Sequence, residues 1–445
     1  MNSGNKERLY SPWAMWHLSP ISGVWCVETR GALHSFYNRC GAMATSLLVS
    51  GCEVNAATSQ PGLSFPLLCQ FRAWLCEKMI PYIIISFPFV LFALLSIFVR
   101  QRKLRVVGLV VAAIIFTIFI GFRYDSVDYY SYVSIYYSHS FHYFSFPFFN
   151  TAPGTTGNEI VFATVAAALN LLNFDVVVFF VIIATASTCI KFLIFYKYSP
   201  YFFLSVVVYL AFIFVKDLGQ IRNALAASLF LLALHYASIK NLKLYLMVLF
   251  VAFGIQAYAL IALPIYWIVN MRSNRLVILA LLLTAYPAAI ASPFIITLLL
   301  DILPSFPYGD IFASRIRGYY LGEREAGNFF SPLVFLNICF GFLSASLFYR
   351  RLSEQEPFYV ACLTSYVVGL FLYLAFHAVP EMSDRSLELL SWLPLAILLP
   401  AVMSFLRFSM RAVLWAPVHI FLVGFILIRI NTAGEYQNVL MDILF

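Results

Sequence analysis

The feature that most constrains this chain is a series of apolar segments, each of roughly 18–22 residues and long enough to cross a bilayer as a helix. Inside the hydrocarbon core every backbone N–H and C=O group needs a partner within the protein, so only helices and closed barrels can span it. The alternation over about ten residues that is typical of barrel strands is absent. The sequence therefore predicts an all-α, polytopic integral membrane protein with about twelve transmembrane helices. The predicted segments are residues 80–99, 104–122, 174–196, 201–217, 221–239, 243–255, 257–271, 276–294, 331–349, 357–378, 388–406 and 411–430.

The composition excludes an ordinary soluble domain, because 62% of the 445 residues are hydrophobic and only 11% are charged. The net charge is +8, but no basic tract resembles a nucleic-acid-binding surface, so we predict no nucleic-acid partner. The eight cysteines have no zinc-like spacing. We predict neither a metal site nor a disulfide framework, and no cofactor.

Residues 1–78 differ from the rest of the chain. They contain four of the seven Trp and five of the eight Cys residues and show no sustained periodicity. We interpret residues 1–78 as an atypical extension and residues 79–445 as the polytopic domain, with Met79 as a natural beginning of the functional chain. The alternative is a genuine amino-terminal extension.

The distribution of Lys and Arg predicts the orientation in the membrane. When the twelve segments alternate across the bilayer, most basic residues, Lys191 among them, fall on one side, which is therefore predicted to be cytoplasmic. The other, periplasmic side receives two long loops at about 123–173 and 295–330. Within the first, residues 159–172 are apolar but too short to span comfortably and are predicted to lie on the membrane surface. Long loops of mixed chemistry on a helical scaffold commonly carry function, so the working face is predicted to be external.

The first candidate cluster follows the second segment, where the chain reads Gly-Phe-Arg-Tyr-Asp-Ser-Val-Asp-Tyr-Tyr-Ser-Tyr over residues 121–132. Charged side chains cost about 2.5–3.5 kcal/mol each at the centre of a membrane helix, so Arg123, Asp125 and Asp128 mark the membrane face. A guanidinium and carboxylates among tyrosines suit a sugar and a phosphate. Glu159 lies at the far end of the same loop. The alternative is an interfacial aromatic belt with solvated charges.

Three further clusters fall on the same predicted side. The second cluster is the stretch from Lys216 to Arg222, and its last residue opens the fifth segment. Arg222 either binds an anion at a helix start, or is a snorkelling anchor or the ion-pair partner of Asp217. The third cluster belongs either to a binding site or to an ordinary solvated loop. The fourth holds either a catalytic carboxylate or a structural ion pair, and its His377 is more typical of an interfacial histidine than of a base. The third cluster contains Arg315, Arg317, Tyr319 and Tyr320, and the fourth contains His377, Glu381, Asp384 and Arg385.

Arginines from separate loops on one face indicate a site for a polyanion such as a diphosphate, because guanidinium binds phosphate oxygens in pairs and stays charged. No Asp-x-Asp or His-x-x-x-His ligand set is present. We therefore expect arginine, rather than a metal ion, to neutralise the leaving phosphate.

The sequence at residues 121–132 resembles the EpsG family of exopolysaccharide proteins, relatives in function of the Wzy O-antigen polymerases. Three more stretches share the resemblance: Gly-Gln-Ile-Arg-Asn-Ala-Leu-Ala at 219–226, Gly-Ile-Gln-Ala-Tyr at 254–258 and Ser-Arg-Ile-Arg-Gly-Tyr-Tyr at 314–320. It covers roughly Met79 to the carboxy terminus. It implies a bacterial inner-membrane protein that joins lipid-linked oligosaccharide repeat units at the periplasmic face.

Carried over to this chain, the resemblance assigns site roles to Arg123, Asp128, Tyr129, Arg222, Arg315 and Tyr319. One turn departs from the family pattern. Where the family usually reads Phe-His-x-Ser, this chain has Gln256, which can hydrogen-bond a sugar but is no base near neutral pH.

Our hypothesis is a glycosyltransferase-type polymerase whose donor is a glycan on undecaprenyl diphosphate and whose acceptor is a sugar hydroxyl of another lipid-linked unit. Several arginines hold the diphosphate, a carboxylate accepts the hydroxyl proton, and tyrosines stack on sugar rings. The diphosphate-binding residues are Arg123, Arg222, Arg315 and Arg317, and Arg385 and Gln256 complete the substrate-binding set. The candidate bases are Asp128 first, then Asp125, Glu159 and Asp384, and the stacking residues are Tyr129, Tyr319 and Tyr320.

Two other classes of function stay open. A lipid-linked glycan flippase or transporter would place broken helices and ionisable groups near the membrane midplane, often in two related halves. An O-antigen ligase would share the external face. Besides the lipid bilayer and the lipid-linked oligosaccharide, candidate partners are a chain-length regulator and a flippase, and the polymer is an O-antigen, a capsule or an exopolysaccharide.

Overall fold

The computed structural model describes residues 80–96, 102–124, 128–138, 160–305, 309–320, 329–432 and 437–438. Residues 1–78, which we interpret as an atypical extension, lie outside the described residues. The described residues form a helical bundle, as predicted. One two-residue antiparallel pair joins β1 (Arg123–Tyr124) to β2 (Gln437–Asn438), with Arg123 opposite Asn438.

Two of the apolar helices in the amino-terminal half begin at a side-chain cap. Asp175 caps one of them by accepting a hydrogen bond from the Val177 N–H at 2.8 Å, and Asn241 caps another through the Leu244 N–H at 3.1 Å. These caps satisfy backbone donors that a helix start leaves unpaired. The helices are α1 (Ile80–Leu95), α2 (Arg102–Gly121), α3 (Tyr129–Ser138), α4 (Ile160–Leu171), α5 (Val176–Tyr198), α6 (Phe202–Phe212), α7 (Phe214–Gly219), α8 (Ile221–Ser238), α9 (Leu242–Ile255) and α10 (Ile265–Asn270), with a 3₁₀ turn at Ala257–Ala262.

The carboxy-terminal half uses proline and π-helical turns. Pro332 and Pro357 open two helices, where the missing N–H costs nothing. The π turns Ser344–Phe348 and Glu388–Trp392 continue the helices that precede them. The helices are α11 (Asn274–Ile290), α12 (Ser292–Ile302), α13 (Gly309–Tyr320), α14 (Pro332–Leu343), α15 (Tyr349–Gln355), α16 (Pro357–Ala375), α17 (Pro380–Leu387), α18 (Leu393–Phe405) and α19 (Phe408–Thr432), with a 3₁₀ turn at Leu303–Ser305.

Each of the twelve predicted apolar segments carries one or more of these helices. Within the described residues, six helices are long and apolar enough to cross a membrane, and α11 with α12 makes a seventh if this bent pair is one span. Five shorter apolar helices, such as Phe202–Phe212, are below that length. The chain is therefore a helical protein with several membrane spans, and the number of about twelve stays a prediction.

The span Pro357–Ala375 and the span Pro380–Phe405 form the centre of the bundle and are mostly buried, whereas Phe408–Ile430 is mostly exposed. Around this centre the packing is aromatic. The ring of Phe116 lies 5.4 Å from that of Tyr209 and 5.1 Å from that of Phe214. Edge-to-face pairs of this kind add to area burial and fix how helices pack.

Loops that were predicted to share the cytoplasmic side do meet at one end of the bundle. The Arg105 Nη2 donates to the carbonyls of Tyr196 and Ser199 at 2.7 and 2.9 Å, and Arg275 Nε donates to the carbonyl of Ala345 at 3.1 Å. Lys191 is a correction: it is not a loop lysine but lies fully buried within α5. Which end faces the cytoplasm stays a prediction.

Helix α4 corresponds to the stretch predicted to lie on the surface. It has twelve residues, too few to span a bilayer, and its buried face packs on α3 and on the end of α9. Gly254 allows this approach, because a Cβ there would overlap the Val161 side chain. The turn at 254–258 thus packs against α4, which belongs to the same loop as the first candidate cluster.

Candidate functional site

Tyr132 connects the first two candidate clusters. It lies on α3 and is 2% exposed. The Arg222 guanidinium carbon is 5.4 Å from its ring centroid and 5.6 Å from that of Phe162, so the guanidinium lies against both aromatic rings. Burial raises the pKa of Tyr132, so its hydroxyl stays neutral and available as a donor. The start of α8 is therefore fastened to α3.

Arg123 and Asp128 complete this group. The positive charges of Arg222 and Arg123 lower the pKa of Tyr132, and the negative charge of Asp128 raises it. Asp128 is half-buried at the start of α3, where its carbonyl accepts the Tyr132 N–H at 3.1 Å. Arg123 is 1% exposed and lies 5.6 Å over the Phe180 ring. Arg222 thus lies against the Tyr132 ring, and Arg123 lies over Phe180, whose ring centroid is 6.4 Å from that of Tyr132. Asp128 precedes Tyr132 by one helical turn.

The exposure of these groups separates their roles. Arg222 is half-buried and can reach a ligand, whereas the Arg123 guanidinium is covered by protein. Tyr129 stacks on Phe180 with centroids 5.3 Å apart and an interplanar angle of 19°. One face of the Tyr129 ring is therefore already occupied by an aromatic partner. Asp125 and Glu159 lie outside the described residues.

Glu388, three residues beyond the fourth cluster, contacts Lys216 of the second cluster and is not among the predicted site residues. Its Oε1 lies 2.7 Å from the Lys216 Nζ, and its Oε2 accepts from the Asn223 Nδ2 at 2.8 Å. Glu388 is 9% exposed and Lys216 is 31% exposed. Glu388 starts a π turn, a feature that often marks functional sites. We name Lys216, Asn223 and Glu388 the carboxylate bridge.

A sequence signal for Glu388 did exist. It is the first residue of the predicted apolar segment 388–406, and an ionisable residue within a membrane segment is by default a candidate functional group. Its partners could not be identified, because Asn223 is separated from it by 165 residues.

Lys191 and Asp217 form a second buried ion pair, with exposed fractions of 0% and 3%. The Tyr209 hydroxyl donates to the same Asp217 oxygen at 2.8 Å. Asp217, which the sequence analysis weighed as a partner of Arg222, is therefore the partner of Lys191. Because Lys216 and Asp217 are neighbours in α7, ion pairs connect this short helix to both Glu388 and Lys191.

The fourth cluster contains an ion pair, which is one of the two alternatives that its sequence left open. The Arg385 Nε and Nη2 lie 2.7 and 2.5 Å from the Glu381 Oε1 one helical turn earlier. Asp384 is half-buried in the same helix, and its charge acts on Glu388. His377 packs edge-on against Phe329 with centroids 4.9 Å apart, and burial lowers its pKa.

The Gln256 turn and the third cluster also lie at this end. Gln256 is 7% exposed. Two residues further along the chain, the Tyr258 hydroxyl donates to the Met382 carbonyl at 2.7 Å. Helix α13 lies beside α17, with Arg317 exposed and Tyr320 40% exposed. Arg315 and Tyr319 lie on α13, and their side chains are outside the described part.

The four predicted clusters thus gather at one end of the bundle, which we name the arginine end. Within the described segments, no three His, Cys, Asp or Glu side chains come together as a metal-ligand set. The chemistry available there is that of guanidinium, ammonium, carboxylate and tyrosine groups.

Comparison with protein-family models matches residues 106–441 to the EpsG family. The match covers most of the polytopic domain and all the candidate residues named above. Neither curated proteins nor solved structures give a match to the chain.

Proposed function

The chain belongs to the EpsG family, and from that premise we propose that it joins undecaprenyl-diphosphate-linked oligosaccharide repeat units at the periplasmic face of the bacterial inner membrane. Family membership and the apolar helices make it a membrane protein of polysaccharide biosynthesis. The proposal adds the reaction, its substrates and its side of the membrane.

The observation that carries the proposal is the group around Tyr132. Arg222 lies against its ring, Arg123 lies over the neighbouring Phe180, and Asp128 is one helical turn before it. Polymerisation needs positive charge for a leaving diphosphate and a carboxylate for the proton of the attacking hydroxyl. Both kinds of group are present within reach of one side chain. A low-dielectric surrounding of aromatic rings strengthens their action on charge that develops during the reaction.

In the proposed reaction the acceptor sugar hydroxyl attacks the anomeric carbon of the donor glycan. The new glycosidic C–O bond forms as the bond from that carbon to the diphosphate oxygen breaks, and the electron pair leaves with the diphosphate. Asp128 accepts the hydroxyl proton. Arg222 binds the diphosphate directly, and the buried Arg123 contributes positive potential from behind.

The third and fourth clusters form the other part of the proposed site. Arg317 and Tyr320 are exposed on α13, and α13 packs beside α17, the helix that carries Arg385. These residues suit the second lipid-linked unit. We retain Arg315, Tyr319 and Tyr129 as proposed substrate contacts, with Gln256 as a hydrogen-bonding group. Asp384 is the alternative base because it is half-buried and close to Glu388, and Asp125 and Glu159 are the remaining alternatives.

The test uses a strain in which the gene is deleted and supplied again as a variant. Asp128→Asn should remove long chains and leave single repeat units, because loss of a general base typically costs 10²- to 10⁴-fold in rate. Asp384→Asn in parallel identifies which carboxylate acts. Wild-type chain lengths with Asp128→Asn, at normal protein abundance in the membrane, would remove Asp128 from the mechanism.

Arginine variants test the diphosphate role. Arg222→Lys keeps the charge but not the paired hydrogen bonds, so it should retain partial activity, whereas Arg222→Ala should retain none. Arg350→Ala is the matched control, because Arg350 is 89% exposed and pairs only locally with Glu354. If Arg222→Ala and Arg350→Ala give the same chain lengths, the proposed role of Arg222 is wrong.

The phenotype of the deletion strain separates the classes of function. A single repeat unit on the carrier or on the lipid core supports a polymerase. Absence of any transferred glycan supports a ligase, and loss of glycan from the periplasm altogether supports a flippase. Intact long chains would overturn all three.

A further inference from the structure

Helix α12 changes direction sharply from the helix before it. α11 and α12 meet at Ala291 with an angle of 84° between them. α11 has 17 residues, about 26 Å at 1.5 Å per residue, which is nearly enough to cross the hydrocarbon core on its own. If α11 runs across the membrane, α12 lies almost parallel to its surface.

The side chains of α12 form three stripes at helical spacing. Ser292 and Ile296 are both 0% exposed and face the protein. The second stripe is apolar and exposed, with Phe294 at 71%, Leu298 at 47% and Ile302 at 44%. The third stripe, Pro293, Thr297 and Asp301, is also exposed and becomes polar after its first residue. Residues four apart share one face of a helix, so each stripe has its own surroundings.

Three separate surroundings are what a helix at a membrane surface meets. One face contacts the protein, a second contacts acyl chains and a third contacts water. A helix that crossed the bilayer would place both exposed stripes in hydrocarbon. Asp301 would then be in contact with lipid, at a cost of about 2.5–3.5 kcal/mol if it lay near the centre.

We propose that α12 is an in-plane helix at the arginine end, with Phe294, Leu298 and Ile302 against the acyl chains of the bilayer and Asp301 toward water. A hydrogen bond places its start at that end, because the Ala378 N–H donates to the Ser292 Oγ at 2.8 Å. Its partner is the lipid surface itself. The proposal stands independently of the reaction proposed above.

The position of α12 gives the arginine end a lipid-contacting edge. α13 follows α12 in the chain and lies beside α17, which carries Arg385. The Phe294 stripe thus brings acyl chains to the same end of the protein as the exposed Arg317. A lipid with a long hydrocarbon chain and an anionic head would find apolar and cationic contacts on consecutive helices.

The test measures depth in the bilayer with nitroxide labels. Single cysteines at Phe294, Leu298 and Ile302, in the full chain with its eight native cysteines replaced by alanine, are reconstituted in phosphatidylcholine vesicles. Ile420 and Ile428 on α19 are the matched control, because they are 73% and 60% exposed and have the same eight-residue separation. Depth is obtained from relaxation by oxygen and by a water-soluble nickel chelate.

Eight residues rise about 12 Å along a helix axis. The two labels on α19 should therefore differ in depth by about that amount, whereas the labels at Phe294 and Ile302 should differ by less than about 5 Å, even with the usual tilt of the spans. A label at Asp301 should be several-fold more accessible to the nickel chelate than one at Leu298.

Two results would overturn the proposal. One is a steady increase in depth from Phe294 to Ile302 that equals the increase along α19, which identifies a broken span. The other is shielding of the three apolar positions from oxygen and nickel alike, which identifies a protein partner. If a labelled variant aggregates, Phe294→Trp and Ile302→Trp in the native chain, quenched by lipids brominated at known depths, give the same comparison.

Discussion

The carboxylate bridge gives a prediction whose size follows from the structure. Glu388→Gln keeps an oxygen that can accept from Asn223 but removes the charge that faces Lys216. Breaking a fully buried ion pair costs about 3–5 kcal/mol, and an exposed pair contributes about 0–1 kcal/mol. Because Lys216 is 31% exposed, its pairing energy is screened, and we expect about 2 kcal/mol for the coupling.

The coupling is measured by a double-mutant cycle of Glu388→Gln, Lys216→Met and the combined variant. The free energy of unfolding is obtained in mixed detergent micelles under conditions where unfolding is reversible. Glu388→Gln alone should cost about 2–3 kcal/mol, since the hydrogen bond to Asn223 also becomes neutral. Glu388→Ala should cost about 1 kcal/mol more, because Asn223 then loses its acceptor.

Arg350 and Glu354 supply the control. Their N···O distance is also 2.7 Å, but their side chains are 89% and 62% exposed. The same cycle at this pair should give little or no coupling, because both charges are solvated and screened. If the Lys216–Glu388 coupling is no larger than that of the control, burial does not decide the strength of these pairs.

Three further predictions concern the rest of the bundle. Lys191→Met or Asp217→Asn should each destabilise the protein by about 3–5 kcal/mol, and an apolar double replacement should cost less than the sum in the same unfolding assay. Gly369→Ala should cost about 1–3 kcal/mol, because the added methyl group overlaps a serine hydroxyl of the π turn, whereas Gly424→Ala, with open space around it, should stay within about 0.5 kcal/mol of wild type. Burial lowers the pKa of His377 in the folded protein. As the pH falls through the ordinary pKa of histidine, this side chain is therefore protonated more in the unfolded chain than in the folded one, which favours unfolding. The melting temperature should fall between pH 7.5 and 5.5, and less so in His377→Gln.

The helices were predictable because membrane helices need apolar residues on nearly every face. Segment 174–196 became Val176–Tyr198, and segment 357–378 became Pro357–Ala375. The break within segment 201–217 was not predictable. Apart from Ser205, its residues are apolar or aromatic up to Val215, and the helix nevertheless ends at Phe212. α7 follows and is held by ion pairs to distant helices.

In the candidate site, too, features set by local sequence were predictable and pairs between distant segments were not. Local sequence was sufficient to place Arg222 at the start of a helix. It left both Glu381 and Asp384 as partners for Arg385, and the structure pairs Arg385 with Glu381. Lys191 resembles a topogenic lysine when its neighbours alone are considered, and only the folded chain supplies Asp217 as its partner. Pairs between distant segments depend on tertiary packing, which periodicity does not encode.

The neighbouring charges of α7 place a limit on how this chain can change during evolution. Lys216 and Asp217 point to partners on different helices, Glu388 and Lys191. Each residue of a helix turns it by about 100°, so deleting or inserting one residue between Ile213 and Gln220 would rotate at least one charge away from its partner. Homologues should therefore vary the side chains of this segment more freely than its length.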